Sequence, residues 1–269
     1  MKQRISELVL SCYIYLASCL IGWQFWSFIS IYWSAERQYI TRDLPTYVQA
    51  ILYPALTVLL LTIIAGCFVA SLSPFSKKNI LRLLLWQSIY CLGLLMNHYM
   101  YSMGFHLDIT ELFISIMGLY IIYLMGAVFY RSTRIEFQHP TTYGTFVTEA
   151  LLFGLSCYAL LPVTEINIGT MVYGLLILIL LNLSVFFARF KFLSAASRAT
   201  NRVARQLLGP KLIYFGSRII IGFFIPLVLL ISILFQAGRQ VKEVAVLILF
   251  GGLIEKMLFV MIGSDRNES

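Results

Sequence analysis

YRSTRIEFQHPTTYGTFVTEALLFG, residues 130–154, decides how this chain is read, because a basic polar turn runs there straight into an apolar helix carrying a carboxylate, Glu149. Long apolar runs lie on either side, so the segment meets water and then re-enters lipid with an ionisable group. An ionisable group at membrane depth is a functional candidate by default.

The composition widens that reading to the whole chain. Of its 269 residues, 60% are hydrophobic and 12% charged, against roughly 25% charged in soluble domains, and the mean hydropathy is +0.85. These values predict an all-α, polytopic membrane helix bundle, with residues 1–269 forming a single integral membrane domain and no separate catalytic domain. About eight spans follow, each near the ~20 residues that cross hydrocarbon: 7–33, 46–72, 79–102, 109–131, 144–163, 167–190, 211–235 and 242–262. Lys2 and Arg4 precede an apolar stretch that continues to Trp33 without a small-x-small cleavage pattern. It is too long for a signal-peptide core and reads as a retained helix. Trp23, Phe25, Trp26, Phe28, Tyr32 and Trp33 near one end of it suit the headgroup layer.

An even span count puts both termini on one side. Of the 20 Lys and Arg residues, Arg37, Arg42, Arg239 and Lys242 fall on the opposite side, Arg218 lies within a span, and the rest share the side of the termini. The positive-inside rule then predicts a bacterial cytoplasmic (inner) membrane protein with both termini in the cytoplasm. The net charge of +8 is explained by this topology and needs no nucleic-acid partner. In the longest loop, KFLSAASRATNRVARQLLGP (191–210), Arg198, Arg202 and Arg205 recur at helical spacing beside Val203, Leu207 and Leu208. Such a segment is an interfacial helix, or a docking surface for a soluble partner together with Arg131 and Arg134. No repeat, direct or inverted, is visible.

Several chemistries are excluded by pattern. The five cysteines, Cys12, Cys19, Cys67, Cys91 and Cys157, have no CxxC spacing and point to neither zinc nor a cysteine-held cluster, so no metal site is expected. His98 falls within a span, whereas His106 and His139 lie in loops, which leaves no facing pair of histidines for a haem. HExxH and GxSxG are missing from the sequence.

The polar residues predicted within spans are Gln24, Gln49, Gln87, Asn97, His98, Glu111, Glu149, Asn182, Arg218, Glu255 and Lys256. A charge there costs ~2.5 to 3.5 kcal/mol on insertion scales and should face the bundle interior. Arg218 lies about two turns into its span; it either meets Glu149 or reaches back to the headgroups. Gly222 and Pro226 in the same span open the backbone for a ligand or kink the helix. Glu255 and Lys256 are adjacent and diverge by ~100°, so they are not a pair; one faces a cavity or the other reaches the headgroup layer.

Four segments together resemble the membrane anchor subunit of dimethyl sulfoxide reductase-type molybdoenzymes. They are Ala70-Ser71-Leu72 closing the second span, the linker from Tyr130-Arg131-Ser132 to Phe146-Val147-Thr148, Arg218 with Gly222 and Pro226, and the final Gly251-Gly252-Leu253-Ile254-Glu255-Lys256-Met257-Leu258-Phe259. The resemblance implies an eight-span anchor that binds menaquinol as its substrate and passes electrons to an iron–sulfur electron-transfer subunit and a molybdopterin catalytic subunit. Iron–sulfur clusters and molybdopterin would belong to those partners. It also makes Glu149, Arg218, Gln87 and Glu255 the candidate quinol-binding residues. Two departures stand out. Where the family carries a His-Leu-Gly-x-Pro element, this chain has Pro74-Phe75-Ser76-Lys77-Lys78, and the closing element has Gly252 at an acidic position and Lys256 in place of Arg. Two further readings stay open, a small polytopic transporter and an anchor that has lost quinol oxidation.

Overall fold

The computed structural model describes residues 2–33, 77–103, 108–131, 138–160, 168–195, 204–205, 207–236 and 240–264. Among them the chain is helical: α1 (Lys2–Trp33), α2 (Lys77–Ser102), α3 (Asp108–Tyr130), α4 (Thr141–Ala159), α5 (Ile168–Ala195), α6 (Leu212–Ile219), a π turn (Ile220–Phe224), α7 (Ile225–Gln236) and α8 (Val241–Ser264). Since α6, the π turn and α7 form one continuous rod, seven rods are described, and each coincides with one of the predicted spans to within a few residues. The predicted span at 46–72, with Gln49, lies outside the described residues.

Five rods are long and apolar enough to cross a membrane, with qualifying segments at Ser11–Ile29, Lys78–Asn97, Ile109–Tyr130, Gly169–Ala195 and Leu212–Phe235. The expected count of eight therefore stands at five among the described residues. The two remaining rods, α4 and α8, are the ones that carry Glu149, Glu255 and Lys256. Threonines and a carboxylate interrupt the apolar run of α4, and four charged residues interrupt that of α8.

The bundle is built about α1 and α4. Gly22 of α1 sits against the Ala150 carbonyl and Gly154 of α4, where an added Cβ would overlap the backbone. With no side chains at that crossing the two helices come into direct backbone contact. The Trp26 indole N–H donates to the Leu151 carbonyl at 2.8 Å and fixes the same interface. On one side α2 and α3 close a core with Tyr13, Ile21, Tyr90, Ile121, Met125 and Phe146. On the other, α5, α7 and α8 enclose a second core with Phe153, Leu175, Ile179, Phe223, Leu230 and Ile248. A smaller cluster joins Ala204 and Leu207 to Leu193, Phe215 and Leu258. It gives the basic loop an apolar footing while Arg205 remains exposed. Leu208, expected on that apolar side, is instead 55% exposed.

The π turn has a local cause. In an unbroken α-helix the ring of Pro226 would strike the carbonyl of Gly222, and its missing N–H would leave that carbonyl unpaired. The chain widens just before it, with the Ile225 N–H reaching back five residues to the Ile220 carbonyl. A π turn of this kind is frequent at functional sites, and this one lies one turn beyond Arg218.

Candidate functional site

Four charged side chains meet in the interior between α4, α6 and α8. Glu149 and Arg218 are 0% exposed, Lys256 1% and Glu255 6%. Lys256 Nζ forms an ion pair and hydrogen bond with Glu149 Oε2, and Arg218 Nη2 forms an ion pair with Glu255 Oε2. The pairs are close enough for Glu149 to feel both Arg218 and Glu255. Two acids and two bases make the set formally neutral. Neutrality is what allows full charges to stay out of water, since each ion alone would cost several kcal/mol.

This pairing corrects the expectation that Arg218 would answer Glu149. Glu255 takes Arg218, and Glu149 takes Lys256. Nor does Arg218 reach the headgroups, because its guanidinium is enclosed. Glu255 and Lys256, adjacent on α8, take separate partners from different helices. Lys256 is buried and does not extend to a headgroup layer.

Each cation also rests on an aromatic face. The Arg218 Cζ lies 4.0 Å from the centroid of Phe223, and Lys256 Nζ lies 4.6 Å from that of Phe146. Five residues at the α-helical ~100° per residue would turn Phe223 well away from Arg218. The wider π turn between them reduces that rotation and brings the ring beneath the guanidinium. Desolvated cation–π contacts are worth ~2 kcal/mol. Glycines supply the remaining space. A Cβ on Gly222 would overlap Arg218 Nη1, and one on Gly251 would overlap the Gly222 backbone and reach Arg218 Nη1 at 3.0 Å.

Helix α1 braces the cluster from outside. The Ser11 hydroxyl donates to the Lys256 carbonyl at 3.2 Å, and the Tyr15 hydroxyl to the Leu249 carbonyl at 2.9 Å. These residues lie one turn apart on the same face of α1 and hold α8 in register.

Hydrogen bonding in the cluster is incomplete. Glu149 Oε1, Glu255 Oε2 and all three nitrogens of Arg218 are buried with no hydrogen-bond partner. Arg218 meets Glu255 as a charge contact alone. Unmet donors and unmet acceptors thus stand in one water-excluded place, and each such group normally has an explanation in a ligand, a water or a catalytic role.

Gln87 does not join this cluster. It lies in the core between α1, α2 and α3, where its Nε2 donates to the Tyr13 hydroxyl and its Oε1 is unpaired. Tyr13 is two residues from Ser11, hence ~200° around α1. Of the other polar residues predicted at depth, Asn97 accepts a hydrogen bond from the Thr110 hydroxyl at 3.1 Å, and Asn182 is buried. Arg131 ends α3 exposed, while Arg134, Arg198 and Arg202 lie outside the described residues. Among the described residues no three His, Cys, Asp or Glu side chains gather as a metal site requires. Lys256 as the partner of Glu149, and Phe223 and Phe146 as the surfaces under the cations, were missed in sequence. The available signal was the one-turn spacing of Phe146 and Glu149, which puts both on the face that receives Lys256.

At the start of α4, Pro140 supplies the cap position, and His139 Nδ1 accepts from the Thr141 N–H at 3.2 Å. The imidazole stacks on Phe192 at 4.0 Å. Burial, and then the nearby Arg189, hold its pKa below the usual histidine value.

No family model, curated protein or solved structure matches the chain.

Proposed function

We propose that this chain is the quinol-oxidising membrane anchor subunit of a dimethyl sulfoxide reductase-type respiratory complex. It takes two electrons and two protons from menaquinol, passes the electrons to an iron–sulfur subunit, and through it supplies a molybdopterin subunit where the terminal substrate is reduced. The observation that carries the reading is the buried cluster, with donors of Arg218 and the Oε1 acceptor of Glu149 unmet in the same interior. A quinol head group offers the complementary set: a hydroxyl to give a proton and an oxygen to accept a hydrogen bond. Glu149 is the proton acceptor in this scheme, and Lys256 steadies it in the ionised state. Arg218 orients the head group, and Glu255 balances the charge of Arg218. The chain would sit in a bacterial cytoplasmic membrane, with Arg131, Arg134, Arg198, Arg202 and Arg205 facing the iron–sulfur partner.

The test is Glu149→Gln in the assembled complex. Loss of a positioned general base typically costs 10²–10⁴-fold, so quinol-linked reduction should fall by about that factor while dye-linked reduction by the partners is kept. Unchanged quinol-linked turnover would remove Glu149 from the role.

A second reading is favoured by one observation, the helix interrupted by a π turn and Pro226 beside the charges. In that reading the chain is a transporter and Glu149 and Lys256 exchange a proton in step with a solute. Gentle-detergent purification followed by iron and molybdenum analysis separates the two. Stoichiometric metals support the respiratory complex, and metal-free protein that drives uptake into vesicles supports the transporter.

A further inference from the structure

Two cysteines come together beside the crossing of α1 and α4. Cys19 and Cys157 interact electrostatically across that interface, and Tyr15 lies next to Cys19. Both cysteines are unbridged and keep part of their surface open. The meeting follows from the backbone. Cys19 precedes Gly22 by one turn and Cys157 follows Gly154 by one turn, and those two glycines are where α1 and α4 touch. A disulfide needs Cα atoms within ~7 Å, a separation that neighbouring helices offer only close to so tight a crossing. Around the pair, Cys19 packs against the core that holds Leu152 and Phe153, and Cys157 against Trp23 and Tyr158. Tyr15, one turn before Cys19 on α1, donates its hydroxyl hydrogen to the Leu249 carbonyl of α8.

We propose that Cys19 and Cys157 form a redox-active dithiol that a lipid-dissolved quinone oxidises to an α1–α4 disulfide. Both S–H bonds break and one S–S bond forms; two electrons and two protons pass to the quinone, which becomes the hydroquinone. A membrane-soluble oxidant suits the site because Cys19 lies in one of the membrane-length apolar segments and both thiols are partly exposed. The inference does not rest on the respiratory reading, since a quinone pool serves a transporter's membrane equally.

The test uses the full chain in detergent, reduced and freed of reductant, then incubated with decylubiquinone under argon. Residual thiols are alkylated and mapped by peptide mass spectrometry. Cys19 and Cys157 should lose alkylation together, yield a linked peptide lighter by two hydrogens, and regain alkylation on reduction, while Cys12, Cys67 and Cys91 remain alkylatable. Cys157→Ser should leave Cys19 alkylatable, and Cys19→Ser should do the same for Cys157. Oxidation of Cys19 that persists in Cys157→Ser, or pairing with another cysteine, overturns the pair. Linkage with copper-phenanthroline but not with decylubiquinone overturns the quinone as oxidant. Loss of alkylation at all five cysteines to the same extent overturns the selectivity on which the proposal stands.

Discussion

Two of the polar assemblies buried among the described residues are built differently. Between α4, α6 and α8, four full charges are gathered into a neutral set with aromatic faces under the cations. Between α1 and α2, a single amide, Gln87, meets a single hydroxyl, Tyr13. The first survives burial only as a group, because removing one member strands an ion in a medium that cannot solvate it. The second is a neutral contact, whose loss leaves at most one weakly polar atom. Interhelical hydrogen bonds of that sort average only ~0.6 kcal/mol in membranes.

The largest expected effect lies in the charged set. Arg218→Met leaves Glu255 unpaired and should destabilise by ~3–5 kcal/mol, read as a lowered midpoint of thermal unfolding in detergent. Adding Glu255→Leu should restore most of it, and a double variant no better than the single one would break the idea that the pair is held by charge balance. Next comes Gly251→Ala, whose methyl overlaps the Gly222 backbone and pushes α8 from the π turn. Overpacking of that kind costs ~1–3 kcal/mol and should show in the same measurement; a neutral outcome would mean that the guanidinium does not need the glycine cradle. Gln87→Leu should then shift stability by less than ~1 kcal/mol and leave quinol-linked turnover unchanged. A loss of turnover would bring the two assemblies into one site.

The smallest effect is at the entrance to α4. The pKa of His139 lies below its unfolded value of ~6.5, so the folded state prefers the neutral ring that accepts from the Thr141 N–H. Its contribution is present above the unfolded value and is lost as pH falls from there through the lowered folded value. Thermal stability should decline over that window, and His139→Asn, which can still accept at the cap, should flatten the decline. An identical slope in the variant would assign it elsewhere.

The helices themselves were legible in the sequence, since apolar runs of span length bounded by basic loops admit little else. The candidate charges were legible too, because Glu149, Arg218, Glu255 and Lys256 interrupt apolar context and no environment hides them in a sequence. Partner choice was not legible. Linear order offers Glu149 and Arg218 as a plausible pair, but which acid meets which base depends on the rotation of α4, α6 and α8 about their axes, and the π turn alters that rotation midway through a rod. Gly222 and Pro226 could be read as a kink, yet the ring they deliver beneath Arg218 follows from a wider turn that local propensity does not announce. The sequence by itself determined an all-helical, membrane-type chain with a small stock of buried charge. Only the tertiary structure decided that the charge is shared in two pairs, that Gln87 stands apart against another face of α1, and that Cys19 and Cys157 flank one glycine crossing. The physical reason is that hydrophobic periodicity specifies which residues are inside, whereas contact between particular side chains depends on helix rotation and separation, which glycine crossings and the π turn set together.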